Sequence, residues 1–380
     1  MRQTTLILLE CRSGAAGSAA RVPLLWRHHA AEIAAALSPL ELVQVADAEE
    51  AEQAAWDAAV LGFGRIVAVG GPRVAHGLVN GIMRLTEGHR QRMKIGFLTL
   101  GHRGAWSRTA GLPSSLARQL EVLAAGHTLP YDIGRVDCVD AQGRPVKRHF
   151  LLGAACGPLG VSWSDTGPAP LRAARAALGL LGAGARCLLG RMPRVTLEVD
   201  GREVYRGPWA LAMVMGGSHY PLLGQTAPDA NPSDGALDVV WIPAPDPVRL
   251  AGHMAGLWLS ATLEAEAHLP GPPRCRGSEV RMLPLAGSPA GAQAIEADGV
   301  RIGVLPATVQ VLPRTFPVIV EAIAKRLRER TRAAAELPQG VLAGGLRRVG
   351  LRRSAMRRAM LAGRGRPRAR RLQPWASASR

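Results

Sequence analysis

Ile66-Val67-Ala68-Val69-Gly70-Gly71-Pro72-Arg73-Val74-Ala75-His76-Gly77-Leu78-Val79-Asn80-Gly81 decides how the first part of the chain is read. An apolar, partly β-branched run ends in two glycines, and the residues after them resume helical spacing. A strand that feeds a glycine turn and then a helix is half of a βαβ unit. Its turn is where bare N–H groups of a loop and a helix N-terminus can face a phosphate. The two residues after the glycines fit that use poorly. Proline brings no N–H and fixes φ at about −65°, and arginine follows at once.

The same alternation repeats on both sides. TTLILLE reads as a first strand, HHAAEIAAALSP as a helix, and LELVQVAD as a second strand. EEAEQAAWDAAVLGFG reads as a helix stopped by glycine, RIVAVGG as the third strand and KIGFLTLG as the fourth. The pattern predicts an α/β domain of nucleotide-binding type, with a parallel sheet covered by helices, over residues 1–129. From residue 130 the texture changes to short alternating runs such as VTLEVDGREVYRG, ALDVVWIPA and VRIGVLPATVQVLP, separated by Gly, Pro and Asp. That predicts a β-sandwich domain over residues 130–316. A helix is expected over 317–336, followed by an Arg-rich tail over 337–380.

Charge is concentrated at that end. Residues 321–380 carry 17 Lys and Arg against 3 Glu, which is +14 of the formal +18 and leaves +4 for the rest. Electrostatic arguments about anionic partners therefore concern the tail. The 5 cysteines are scattered and odd in number, with no CxxC pair, which predicts a reduced, cytoplasmic protein. No apolar stretch approaches the ~20 residues of a membrane span. Arg347-Arg348, Arg352-Arg353 and Arg357-Arg358 recur through the tail, which suits peripheral attraction to an anionic membrane surface. Nucleic-acid binding is the weaker reading, because no aromatic platform is interleaved with these arginines. A homodimer is left open.

Three places resemble phosphate turns: Ser13-Gly14 after the first strand, Gly70-Gly71 after the third and Gly101 after the fourth. A glycine after a strand is usually only a turn, so the weight lies in the succession. Of the acids, Asp234-Gly235 and Asp298-Gly299 both read equally well as turns. The 10 histidines show no metal-ligand spacing.

With those motifs in order, the chain resembles the diacylglycerol kinase and sphingosine kinase-like lipid kinases over roughly residues 3–320. The family's NPxSG loop corresponds to Glu10-Cys11-Arg12-Ser13-Gly14, and its GGDGT loop to Gly70-Gly71-Pro72-Arg73-Val74. Its VNEVVNG segment corresponds to Ala75–Gly81, and its PLGTxNDFAR segment to Thr99–Arg108. Ala227–Asp238 keeps APxAxxxDGxLD intact, and Asp298-Gly299-Val300 stands where the family has DGE.

The resemblance implies ATP and Mg²⁺ as cofactors, a lipid hydroxyl as acceptor, and Ser13, Gly70, Gly71 and Gly101 as nucleotide-binding positions. Arg73 and Arg103 are candidates for a cationic phosphate clamp. Asp234 and Asp298 are the remaining candidates for catalysis. Yet the family's polar positions hold Pro72, Val74, Gly104, Ala105 and Val300 here. Phosphoryl transfer needs acidic oxygens for Mg²⁺ and an orienter for the attacking hydroxyl. The expectation is therefore a lipid kinase family protein of weak or absent activity; the alternative is an inactive lipid- or membrane-binding relative.

Overall fold

The computed structural model describes residues 4–11, 18–100, 105–159, 178, 181–220, 224–244, 246–263, 272–288 and 293–321. The N-terminal lobe alternates as the sequence predicts: β1 (Thr5–Glu10), α1 (Ser18–Leu37), β2 (Leu40–Val45), α2 (Ala48–Val60), β3 (Arg65–Val69), α3 (Pro72–Met83), the short α4 (Glu87–Arg90), β4 (Lys94–Leu98), α5 (Ala105–Thr109) and α6 (Leu116–Ala125). The strands pair in parallel in the order β2-β1-β3-β4. β1 is buried along its whole length, as expected of a strand covered on both faces. Local signals set the helix ends. The Asp47 carboxylate accepts from the Glu49 and Glu50 N–H groups at the start of α2, and Gly126 ends α6 in the left-handed conformation at φ 62°.

Glycines also set how closely α3 lies on α2. A Cβ at Gly77 would come 2.3 Å from the Ala48 carbonyl oxygen, and one at Gly81 2.3 Å from that of Glu52. The HGLVNG end of the opening stretch is therefore a packing surface.

The second lobe holds β5 (Thr128–Val139), β6 (Pro145–Phe150), β7 (Gly153–Cys156), α7 (described over residues 181–188), β8 (Arg194–Val199), β9 (Arg202–Met215), β10 (His219–Tyr220), β11 (Gly224–Gln225), β12 (Leu237–Pro243), α8 (Pro247–Leu263), β13 (Arg274–Gly277), β14 (Glu279–Pro284), β15 (Ala294–Ala297) and β16 (Val300–Ile319). Its strands close a ring. β9 pairs β7, β7 pairs β15, β15 pairs β16, β16 pairs β14, β14 pairs β8, and β8 returns to β9. The interior is filled by Val136, Phe150, Leu197, Trp209, Val214, Val239, Val280, Ile295 and Val309, among others. A sandwich closed in this way leaves six of its strands with no open edge.

The lobes are not separated at residue 316. β16 runs past it, pairs β5 through Ile319↔Thr128, and meets β4 in parallel at Val318↔Ile95. The helix expected from residue 317 is thus strand over 317–319, and residues 322–336 lie outside the described residues. The reason is that Phe316, Val318, Ile319 and Val320 are buried in the N-terminal core. A β-branched run covering the otherwise open edge of β4 gains burial and ladder hydrogen bonds together. The basic tail also lies outside the described residues. All described residues fall within one compact unit, residues 1–329.

Candidate functional site

At the end of β3 the backbone turns through Gly70, at φ 154°, and Gly71 caps α3, with Pro72 in its first turn. Three features make this an anion site: the glycine turn, the N–H of Gly71 and the positive end of a 12-residue helix. The site is filled from within. Glu10, the last residue of β1, is 5% exposed, and its Oε2 accepts a hydrogen bond from the Gly71 N–H at 2.6 Å. A Cβ at Gly70 would lie 2.6 Å from both the Glu10 Cβ and Oε2; one at Gly71 would lie 3.2 Å from that oxygen. The glycines are thus required by the approach of this carboxylate. Pro72 adds no donor. Arg73 is half-buried in the first turn of α3 and is engaged in contacts. Ser13, Gly101 and Arg103 lie outside the described residues.

Asp298 sits at the β15–β16 turn in the left-handed region, φ 49°. It is 1% exposed and accepts from the backbone N–H groups of Leu151 (3.0 Å), Leu152 (2.8 Å) and Gly153 (3.3 Å). His76 Nδ1 of α3 lies 3.7 Å from its Oδ2, and that nitrogen has no hydrogen-bond partner among the described residues. One turn along α3, Asn80 donates to the His149 carbonyl at 3.0 Å and accepts from the His149 N–H at 3.0 Å. Asn80 therefore ties α3 to β6 of the second lobe through the His149 backbone, whereas Asp298 holds the turn between β6 and β7 within that lobe. Burial, then the charges of Arg135 and Arg90, push the His149 imidazole down to about 4, so it is neutral.

Asp234 is elsewhere. Its Oδ2 accepts from Arg276 at 2.5 Å, and no contact joins it to Gly70 or Gly71 among the described residues. The turn that carries it is held by Asp132, which accepts from the Gly235 N–H at 2.7 Å and the Arg314 N–H at 2.8 Å. Burial raises Asp238 beside it to about 6, against the opposing pull of Arg276.

Sequence reasoning passed over two acids. Glu10 reads in the sequence as the start of a loop, although an acid at the end of a strand beside a glycine turn is itself a signal. Glu296, two residues before Asp298 on β15, is 4% exposed and accepts from the Tyr220 hydroxyl at 2.6 Å. Burial raises its carboxyl to about 7, and the Tyr220 hydrogen bond only partly offsets that. Glu296 cannot substitute for a glutamate at position 300: Val300 is paired with Ala297, whereas Glu296 is paired with Arg301, one step along the ladder.

The fit to ATP and Mg²⁺ is poor on these observations. The turn that would take phosphate holds a carboxylate, and no group of three or more His, Cys, Asp or Glu among the described residues could hold a metal ion.

Residues 6–136 match the diacylglycerol kinase catalytic domain, and residues 181–320 match the YegS C-terminal NAD kinase beta sandwich-like domain. Among solved structures, a diacylglycerol kinase from Bacillus anthracis str. Sterne superposes with a TM-score of 0.57 at 16% identity, covering 85% of this chain and 98% of that one. Another structure of a candidate diacylglycerol kinase from the same organism gives 0.60, with the same identity and coverage. Yeast NADH kinase complexed with NADH gives 0.46 at 11% identity, covering 88% of this chain and 89% of that one. No curated protein sequence matches significantly. With an N-terminal nucleotide-type lobe and a β-sandwich lobe, the chain carries a diacylglycerol kinase catalytic domain followed by a YegS-type C-terminal domain.

Proposed function

We propose that this chain is a lipid-binding member of the diacylglycerol kinase family in which Mg·ATP-dependent phosphoryl transfer is weak or absent. The observation that carries the reading is the Glu10 carboxylate in the glycine turn, bonded to the Gly71 N–H at 2.6 Å. A nucleotide phosphate would have to displace it or lie against its charge. Pro72, Val74, Ala105 and Val300 stand where the family's polar groups would otherwise compensate. Lipid recognition is the part of the reading that rests on the family alone.

The test is a calorimetric titration of the full chain with ATP, with and without Mg²⁺, paired with radiolabelled-phosphate transfer to diacylglycerol in mixed micelles. The expected result is no binding at micromolar nucleotide and no transfer. Micromolar binding and transfer, both lost in Arg73→Ala, would overturn the proposal in favour of an arginine-clamped kinase.

A further inference from the structure

The helix α7 carries its apolar residues on the wrong side for a globular fold. Ala183 and Cys187 face inward, at 0% and 7% exposure, and the Cys187 thiol reaches the Ala244 carbonyl before α8. Leu181 and Leu188 are 70% and 75% exposed, with exposed Ala185 between them. At about 100° per residue, positions 181, 185 and 188 fall within one narrow stripe, opposite the 183 and 187 face. Leu178, helical and 67% exposed, precedes the row in the chain, and Leu189, 65% exposed, follows in the turn after the helix. Val248, at the start of α8, is 81% exposed. Scattered single exposed leucines need no explanation, but a solvent-facing row does.

The charges around the row are of one sign. Between Asp165 and Glu198 the sequence has Arg172, Arg175, Arg186, Arg191 and Arg194 and no acid. Arg186, Arg191 and Arg194 are exposed and have no ion-pair partner among the described residues. The nearby acid, Asp246, is paired with Arg249 at 3.5 Å. A second copy of the chain seated on this row would bring two sets of arginines together. An anionic lipid surface would accept both the leucines and the arginines.

We propose that the α7 leucine row, flanked by Arg186, Arg191 and Arg194, is a docking surface for an anionic membrane. No helix among the described residues is long and apolar enough to cross one, so α7 lies along the surface. The leucines enter the boundary between headgroups and acyl chains, and the guanidinium groups meet lipid phosphates. The inference stands whether or not the glycine turn binds nucleotide, so it and the proposed function fail separately.

The experiment is co-sedimentation of the full chain with phosphatidylglycerol-containing vesicles and with pure phosphatidylcholine vesicles. It compares the wild type, Leu181→Ser with Leu188→Ser, Arg186→Glu with Arg191→Glu, and a chain ending at residue 336. The altered side chains are solvent-facing, so thermal melting should be unchanged, and it is measured alongside. The leucine pair should lower vesicle partitioning at least tenfold at low and high salt alike, because the apolar contribution is not screened. The arginine pair should lower it chiefly on anionic vesicles at low salt. Unchanged partitioning of the leucine pair with unchanged melting would overturn the proposal, as would loss confined to the truncated chain. A wild-type dimer by light scattering that the leucine pair converts to monomer, with vesicle binding intact, would assign the row to a second copy instead.

Discussion

Replacing Glu296 by Gln tests the energetics of the buried acids most sharply. Unfolded, Glu296 titrates near 4.5; folded, burial holds it at about 7. Below the lower value both states carry the proton and the site is neutral to stability. Between the two the unfolded chain loses the proton and the folded one keeps it, so stability falls as pH rises, and the loss is complete above about 7. At 1.36 kcal/mol per unit, a shift of this size amounts to about 3 kcal/mol. Gln preserves an oxygen for the Tyr220 hydroxyl but cannot ionise. The raw stability curve will not display the effect by itself. Asp238, raised to about 6, adds a slope of the same sign, and His149, lowered to about 4, adds the opposite slope between about 4 and 6.5. The difference between Glu296→Gln and wild type isolates one group. Urea unfolding followed by tryptophan fluorescence, at fixed ionic strength from pH 5 to 8, should show the variant gaining about 3 kcal/mol relative to wild type across that range. Parallel curves would refute the assignment of a neutral, buried Glu296.

Three further outcomes are expected. Glu10→Ala leaves the Gly71 N–H and the start of α3 without their acceptor and should cost about 2 kcal/mol in urea unfolding; an unchanged midpoint would mean that water replaces the carboxylate at no cost. Gly81→Ala forces α3 away from the Glu52 carbonyl oxygen, 2.3 Å from the added Cβ, and should lower stability by about 2 kcal/mol or more, whereas Gly88→Ala in α4, with nothing within 4 Å, should be neutral or slightly stabilising. Asp298→Ala strips three backbone N–H groups of their acceptor and should cost about 3 kcal/mol; a cost below about 1 kcal/mol would show that the β15–β16 turn does not depend on the carboxylate.

The first lobe was legible because its signals are local. RIVAV, the glycine pair and the helix after it lie within twenty residues, and periodicity plus Asp47 and Gly126 mark the element ends. The strand identity of residues 317–319 was not legible. VIVEAIAKRL has helical spacing, and only the open edge of β4, more than two hundred residues earlier, turns its first residues into strand. Ring closure through β14 and β8 is hidden for the same reason: pairing partners leave no trace in either strand's own pattern. At the site, glycine positions were readable but their occupant was not. Glu10 and Gly71 are 61 residues apart and meet only because β1 and β3 are neighbours in parallel register.

That register answers what the glycine pair is for. Gly70 and Gly71 look like a phosphate cradle because they leave room for an anion beside a helix N-terminus, and Glu10 uses that room. A triphosphate arriving with Glu10 in place would set like charges about 4 Å apart, which costs about 4 kcal/mol per pair at an effective dielectric near 20. Displacing Glu10 instead forfeits a charge-assisted hydrogen bond of about 1.5–3 kcal/mol and requires a new partner for a carboxylate that is 5% exposed. Micromolar nucleotide binding is worth about 8 kcal/mol, so either route removes a large part of what such affinity needs. Changing Pro72→Asp, Arg73→Gly and Val74→Thr together would restore the look of the loop while leaving Glu10 where it is. Transfer to diacylglycerol should stay absent in that triple variant, and calorimetry should still detect no micromolar ATP binding. Recovery of both from those three changes alone would show that Glu10 yields readily to phosphate and that the loop residues, not the carboxylate, close the site.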